Sequence, residues 1–377
     1  MPSSPSGAPS TDGARALAPS TRCPDAQPHP ARVPSGAMSD DAVTVEASGR
    51  ELRITHPDKV FFKTRGETKL DLVRYYQAVE EPTLRALGGR PTLMQRFPDG
   101  AHGKSFFQKR VPDSAPDWIE TTEVSTPNGT TSNALVIADL AHLLWAVQQG
   151  CLGFHPWPYK AATPEVTDEL RIDLDPGPGV TFEMVQEAAL RVKDLFDGEG
   201  IDSYVKTSGS KGLHIYVRLL PNWDGYAVRS AAVAVARELE RRHPDLITAQ
   251  WWKEDRGTRV FVDFNQNAPH KTVFGTWCVR PRVGAQVSCP IRWDEVPTVV
   301  LDDLTLAAVP DKVAAEGDPW RPMNDAPQDI GVLIGWYHRD LANGMMDAPW
   351  PPQYPKMPNE PPRVSASRAK KDPAADG

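Results

Sequence analysis

The stretch Arg171-Ile-Asp-Leu-Asp-Pro176 decides how the fold of this 377-residue chain is interpreted. Acids alternate with apolar residues in it, so a β-strand of period two turns Asp173 and Asp175 to one face. Ile172 and Leu174 then face the opposite side, where a hydrophobic core is expected. Two acids on one face repel each other unless a cation lies between them. The pattern therefore indicates a strand that carries a cation site.

Two further stretches follow in the chain and add to this site. Asp263 lies between apolar neighbours in Val260-Phe-Val-Asp-Phe264 and would complete a set of three carboxylates. Hard oxygen ligands of this kind suit Mg²⁺ or Mn²⁺ at a phosphoryl-transfer site. The stretch Ser208-Gly-Ser-Lys-Gly-Leu-His214 supplies a lysine, a histidine and flexible glycines, which suit a triphosphate. Each stretch alone is more often a solvated strand face or a surface turn, but the conjunction favours a catalytic site.

At these residues the sequence resembles the polymerase domain of bacterial ligase D, a branch of the archaeo-eukaryotic primase superfamily. The resemblance rests on Asp-Leu-Asp-Pro, on Ser-Gly-Ser-Lys-Gly-Leu-His and on Val-Asp-Phe-Asn-Gln-Asn at 262–267. Arg280-Pro-Arg282, followed by Trp293-Asp-Glu-Val296, is similar to the family's C-terminal signature. No Lys-x-Asp-Gly of a ligase module is present, so the resemblance implies a stand-alone primase-polymerase.

The resemblance implies roles for particular residues. Two divalent cations, Mn²⁺ or Mg²⁺, would be bound by Asp173, Asp175 and Asp263. The residues expected to contact the incoming nucleotide are Ser208, Lys211, His214, His155, Arg280 and Arg282. The alternatives without a catalytic role are that Lys211 is a solvated lysine in a turn and that His214 is a core histidine whose hydrogen bonds are satisfied.

Two pairs in the first half are expected to contact DNA. Lys59 and Lys69 would hold the 5′-phosphate on the far side of a gap, since lysines act as point charges on phosphate. Their alternative is two ordinary surface lysines. Phe106 and Phe107 resemble an aromatic pair that stacks on template bases. Adjacent residues on a strand point to opposite faces, so one of the two rings is expected in the core.

The element pattern predicts an α+β fold with a primase-type catalytic core. The order is strand 171–176, helix 181–196, strands 203–207 and 212–218, helix 225–242 and strand 258–264, with Thr181 as an N-cap. That order is a split βαβ, ferredoxin-like unit. It is expected to pack against an N-terminal α/β half whose elements are strand 51–55, helix 69–87, strands 92–97 and 105–111, strands within 118–136 and helix 138–149.

Composition sets the expected domain boundaries. Residues 1–40 are expected to form a tail, because 1–37 are rich in Pro, Ser and Ala without hydrophobic periodicity. This stretch is either disordered or upstream sequence translated from a misassigned start before Met38. The polymerase domain is placed at 41–347, with a DNA-binding half at 41–160 and a catalytic half at 161–347. A second disordered tail is expected at 348–377.

Charge and cysteine usage limit the class of protein. The formal charge of −7 disfavours a protein that coats nucleic acid indiscriminately but allows an enzyme with a basic groove. The four cysteines show no zinc-site spacing, so a reducing cytoplasm, and the bacterial nucleoid during repair, is the expected location. The sequence contains no run of about 18 apolar residues, so no membrane span is predicted and no membrane partner is expected.

The predicted function is template-directed addition of nucleotides, with ribonucleotides preferred, to a 3′-hydroxyl at short gaps or broken ends during DNA repair. The expected partners are gapped or broken duplex DNA, nucleoside triphosphates, a separate DNA ligase and an end-binding protein. One alternative is a two-metal nuclease, which has no use for a triphosphate pocket. The other is a non-catalytic module that bridges DNA ends, which has no use for three converging acids.

Overall fold

The structure, a computed structural model, describes residues 41–364. Its strands are β1 (Ala42–Ala47), β2 (Arg50–Thr55), β3 (Val60–Phe62), β4 (Glu67–Thr68), β5 (Pro91–Arg96), β6 (Phe106–Gln108), β7 (Thr121–Ser125), β8 (Thr131–Val136), β9 (Cys151–Pro156), β10 (Glu169–Pro176), β11 (Tyr204–Thr207), β12 (Leu213–Arg218), β13 (Ile247–Thr248), β14 (Val260–Val262) and β15 (Pro290–Ile291). Its α-helices are α1 (Lys69–Ala78), α2 (Glu80–Leu87), α3 (Leu140–Gln148), α4 (Phe182–Gly198), α5 (Gly225–Arg242), α6 (Val309–Glu316) and α7 (Gly331–Ala342).

The larger sheet has six strands in the order β13-β14-β10-β12-β11-β15. Strand β12 lies between β10 and β11 and is antiparallel to both, while α4 connects those two strands along the chain. Strand β14 pairs with the other edge of β10, also antiparallel. The order β14-β10-β12-β11 is that of the split βαβ unit, so the predicted α+β class is confirmed.

Local chemistry explains the position of β10 and its flanking helices. Ile172 and Leu174 are fully buried, and Asp175 is exposed, as the alternation predicts. Thr181 caps α4, because its side chain accepts a hydrogen bond from the backbone N–H of Met184. Asp224 caps α5 in the same way, and α5 has the predicted bounds of 225–242.

The smaller sheet is built around β5. Strand β9 follows one edge of β5, while β8 and then β6 pair with the other edge, and β7 extends the sheet beyond β8. The single helix predicted over 69–87 is two helices, α1 and α2. The cause is Pro82, which has no N–H to donate to the carbonyl of Ala78 and whose ring collides with that carbonyl in a continuous helix.

One contiguous apolar core supports both sheets. It includes Met94 and Phe154 from the smaller sheet and Ile172 and Ile215 from the larger one. None of the helices within residues 41–364 is both long and apolar enough to cross a membrane.

The C-terminal prediction needs a correction. Disorder is expected from Ala348 onwards, yet residues 348–364 pack on the domain, with Trp350 and Glu360 only 4% and 3% exposed. Proline-rich composition does not prevent burial here, because buried side chains elsewhere in the chain bind the backbone carbonyls of this segment. Residues 1–40 and 365–377, on which the remaining tail predictions fall, lie outside the described residues.

Candidate active site

The three predicted carboxylates meet where β10 pairs with β14. The backbone N–H of Asp263 donates to the carbonyl of Asp173 over 2.9 Å, which continues the ladder between the two strands. Asp263 was expected on a strand, but β14 ends at Val262 and Asp263 caps a 3₁₀ turn formed by Phe264–Asn267. Because Asp263 lies just after the end of β14, the direction of its carboxylate is not set by the alternating faces of that strand.

The turn holds the Asp263 carboxylate through two hydrogen bonds. Its Oδ1 accepts from the backbone N–H of Asn265 at 3.1 Å. Its Oδ2 accepts from Nε2 of Gln266 at 2.8 Å. The orientation of Asp263 therefore depends on where the turn is anchored.

The acids disfavour one another's ionised form. Burial, followed by the nearby charges of Asp263 and Asp175, raises the pKa of Asp173 to about 8. Burial also raises the pKa of Asp263. A hard divalent cation would relieve this repulsion, and the carboxylate oxygens are suitable donors. As placed, no group of three or more His, Cys, Asp or Glu side chains within residues 41–364 is arranged to hold a metal ion. The donor chemistry of these carboxylates fits a divalent cation.

Two cations near the acids were missed by the sequence reasoning. Arg256 stacks on Phe261 at 3.5 Å, and its Nη1 lies 3.7 Å from Oδ2 of Asp175. Lys206, on β11, is fully buried, and its Nζ donates to the hydroxyl of Ser288. Burial and the neighbouring arginine lower the pKa of Lys206 to about 7. Arg256 lies in a polar loop without periodicity, so no sequence pattern marks it.

One hydroxyl closes the turn at Ser208–Gly212. The Oγ of Ser208 accepts from the backbone N–H groups of Ser210 and Gly212, both at 3.1 Å. Gly209 has φ +68°, and a Cβ there would lie 2.7 Å from Cγ of Arg280. Only glycine fits this left-handed position without displacing the arginine.

Arg280 links this turn to the carboxylates. Its Nε donates to the carbonyl of Ser208 at 2.8 Å, and its guanidinium stacks on Phe274 at 3.9 Å. Burial lowers the pKa of Arg280 to about 10, although the charge of Asp173 counteracts part of that effect. Lys211 and Arg282 are exposed and line an open groove of about 690 Å³ beside the turn.

The two predicted histidines have different surroundings. His214 is 4% exposed, and its Nε2 lies 3.4 Å from Oδ1 of Asp173. Burial lowers the pKa of His214 well below its usual range. His155 packs edge-on against Phe107 at 5.5 Å and Phe274 at 5.3 Å. It thereby connects the predicted template pair to the ring that supports Arg280.

The expectation that one ring of the aromatic pair is core is wrong. Phe106 and Phe107 are 48% and 57% exposed. They lie on β6, a three-residue strand at the edge of the smaller sheet. The guanidinium of Arg96 lies 5.4 Å from the Phe106 ring, so a cation rather than the core covers that ring.

The two lysines expected at a 5′-phosphate are close together but differ in environment. Lys59 is exposed, and its Nζ lies 3.6 Å from Oδ1 of Asp99. Lys69 is 6% exposed, and its Nζ donates to the carbonyls of Thr55 and Gln148 and to the Gln148 side chain. Burial, followed by the charge of Lys59, lowers the pKa of Lys69 to about 8. Lys69 thus ties α1 to β2 and α3, and Lys59 has the more accessible ammonium.

Comparison with known proteins identifies the family. The family model described as "LigD, primase-polymerase domain" matches residues 68–320, about two thirds of the chain. This chain belongs to that family. The match contains every predicted site residue except Lys59.

Members of the family with curated descriptions are longer proteins. The multifunctional non-homologous end joining protein LigD of Mycolicibacterium smegmatis is 33% identical over 310 residues, which cover 82% of this chain and 40% of that protein. The bifunctional LigD of Bacillus subtilis is 32% identical over 281 residues, or 74% of this chain and 45% of that protein. This chain thus spans less than half the length of these relatives.

A solved structure has the same fold. The polymerase domain of Mycobacterium tuberculosis ligase D, determined in complex with DNA, aligns with a TM-score of 0.69 and 32% identity. The alignment covers 74% of this chain and 99% of that domain. The family and fold inferred from the motifs are therefore confirmed.

Proposed function

We propose that this chain is a primase-polymerase, a nucleotidyltransferase that extends a 3′-hydroxyl at short gaps or broken ends in DNA repair. The observation that carries the proposal is the conjunction of Asp173, Asp175 and Asp263 with the Ser208–Gly212 turn, joined by Arg280. Family membership supports the same reaction. The names of the relatives support a place in non-homologous end joining. A separate DNA ligase and an end-binding protein are the partners we propose for that pathway.

In this proposal most groups act through electrostatic attraction to the triphosphate or to the cations. Lys211 in the glycine-rich turn binds the triphosphate together with Arg280 and Arg282. Asp173, Asp175 and Asp263 would hold two Mn²⁺ or Mg²⁺ ions. When bound, these ions lower the pKa of the attacking hydroxyl and neutralise the phosphates. The exposed ring of Phe107, beside His155, provides a surface on which a template base can stack.

A single experiment separates this function from its alternatives. The protein is incubated with a gapped duplex, labelled nucleotides and Mn²⁺, with a chelator as control. Extension that the chelator abolishes supports a polymerase. Shortening of the strands supports a two-metal nuclease, and retention of DNA without chemistry supports a bridging module.

The sugar preference is a separate prediction. Incorporation of ATP should exceed that of dATP when the two compete on a gapped template. The Ser208 hydroxyl is our candidate contact, because it accepts two backbone N–H groups and retains its own proton to donate to a 2′-hydroxyl. Equal or reversed incorporation counts against this contact.

The predicted preference for a phosphorylated downstream strand depends mainly on Lys59. A gap with a phosphorylated downstream strand should bind about tenfold more tightly than the same gap ending in hydroxyl, because the phosphate adds a charge-assisted contact. Lys59→Ala should remove this preference and reduce the salt dependence of binding. Lys69→Ala should instead lower the melting temperature, since its ammonium binds three internal acceptors.

The control is Lys356→Ala, which removes an exposed lysine from the C-terminal segment. It carries the same change of net charge and should leave the phosphate preference intact. Indistinguishable titrations of wild type with the two gaps would refute the pocket, whatever the polymerase activity.

A further inference from the structure

Residues 347–364, here called the C-terminal strap, lie outside the 68–320 range of the family model. The strap packs on the turn that begins at Asp263. Trp350 and Tyr354 form an apolar cluster with Ala268, and the hydroxyl of Tyr354 donates to the carbonyl of Pro269. The strap is thus joined to the segment that carries one of the three acids.

Arg229, on α5, is the centre of this junction. It is fully buried, and its Nε donates to Oδ1 of Asn265 at 2.8 Å. Its Nη2 donates to the carbonyl of Ala348 at 2.9 Å, and its Nη1 lies 3.2 Å from Oδ1 of Asp347. The guanidinium also lies 3.8 Å from the Trp350 ring. A planar group with five fixed donors holds the strap and Asn265 in one relative geometry.

Asn265 connects Arg229 and the strap to Asp263. Its side chain is 2% exposed, and Nδ2 donates to the carbonyl of Pro349 at 2.9 Å. Its backbone N–H donates to Oδ1 of Asp263. The amide that orients the carboxylate therefore belongs to a residue that Arg229 and the strap hold.

The other end of the turn has an independent anchor. Asn267 accepts from the backbone N–H of Arg171 at 2.8 Å and donates to its carbonyl at 2.6 Å. Arg171 lies on β10, two residues before Asp173. One asparagine thus fixes the turn to the strand that carries Asp173 and Asp175, while Asn265 fixes it to the strap.

We propose that the C-terminal strap, acting through Arg229 and Asn265, positions the carboxylate of Asp263 against Asp173 for nucleotide addition. The inference rests on the proposed function. It adds two positioning residues, Arg229 and Asn265, and a segment outside the range of the family model. Both residues act through Asp263. An error of about 1 Å in such a group can reduce the rate about a hundredfold without weakening substrate binding.

The test uses Asn265→Ala and Asp347→Asn in the full chain. Asn265→Ala removes both side-chain bonds of the anchor, and Asp347→Asn removes the charge that pairs with Arg229. In both variants kcat for extension should fall about tenfold or more, while KM for the nucleotide and Kd for gapped DNA stay within about twofold. A smaller folded fraction would also lower the apparent kcat at unchanged KM, so kcat is calculated per folded molecule, with the folded fraction of each variant measured by circular dichroism.

Two further variants make the test decisive. Lys356→Ala changes an exposed side chain of the strap that bonds to neither Arg229 nor Asn265, and it should retain wild-type kcat. Trp350→Phe keeps an aromatic ring but loses the indole N–H that donates to Asp347. It should fold even where a harsher variant does not, with kcat reduced about threefold.

Hydrogen exchange gives a readout that needs no catalysis. Backbone amides in residues 263–267 should exchange faster in Asn265→Ala and Asp347→Asn but not in Lys356→Ala. An inactive wild type would remove the proposed function, and exchange would then report whether the strap holds the turn. Wild-type kcat in a folded Asn265→Ala overturns the proposal, as does an equal loss of kcat in Lys356→Ala.

Discussion

Replacing Asp173, Asp175 or Asp263 by asparagine should each reduce primer extension by more than about a hundredfold. Asparagine keeps the size of the side chain but removes the charge that a divalent cation requires. The affinity for gapped DNA should change by less than about threefold, because Lys59 and the exposed aromatic residues lie apart from the acids. Extension on a gapped duplex with Mn²⁺ and a DNA-binding titration measure the two effects.

The substitution at Asp173 should not weaken the fold. Burial and mutual repulsion raise the pKa of Asp173, so its ionised form costs stability at a pH above the ordinary carboxyl range. Asp173→Asn should therefore raise the melting temperature at neutral pH while extension is lost. Asp194→Asn, a change at a 67% exposed side chain on α4, should alter neither property. Substantial extension by any of the three acid variants would remove that residue from the site.

Strong local periodicity made the catalytic sheet predictable. The alternation through β10 places Ile172 and Leu174 in the core, and Thr181 marks the start of α4 by a hydrogen bond that its own residue type dictates. Both features depend on residues within a few positions of each other. The order of the elements then leaves few ways to form the sheet, and the split βαβ order is one of them.

The sequence does not reveal contacts between residues that are distant along the chain. It predicts a 5′-phosphate contact for Lys69, and no local pattern shows that the ammonium donates to Thr55 and Gln148, which belong to other elements. The strap reads as a tail because its composition is proline-rich. Its burial depends on Arg229, more than a hundred residues earlier, and no local pattern reveals that contact.

The aromatic pair failed for a different reason. Alternation places the side chains of Phe106 and Phe107 on opposite faces of β6. It does not say whether a second layer covers each face. At the edge strand β6 neither ring enters the core, so both remain exposed. Exposure of the pair is what a stacking surface requires, which makes the failed expectation compatible with the proposed role.

A buried cluster of charges supports the strand that carries Asp173 and Asp175. Glu169, the first residue of β10, is 4% exposed and binds Arg171 through Oε2 and Arg90 through Oε1. Arg90 also forms a two-bond contact with Asp168, to which Arg218 donates as well. Three guanidinium groups thus face two carboxylates, an excess of one positive charge. The arginines hold the pKa of Glu169 well below its usual range, although burial opposes them.

Glu169→Gln should destabilise the protein by about 3–5 kcal/mol, because it leaves three buried arginines with a single carboxylate. Arg90→Met should cost less, about 1–3 kcal/mol, since it leaves two arginines matched by two acids and loses mainly hydrogen bonds. The double variant Glu169→Gln with Arg171→Met restores the wild-type charge excess and should be more stable than Glu169→Gln alone. Urea denaturation measures all three, with Glu187→Gln in an exposed ion pair as a control that should change stability by less than about 1 kcal/mol. If Arg90→Met proves more damaging than Glu169→Gln, packing and hydrogen bonding rather than charge balance govern this cluster.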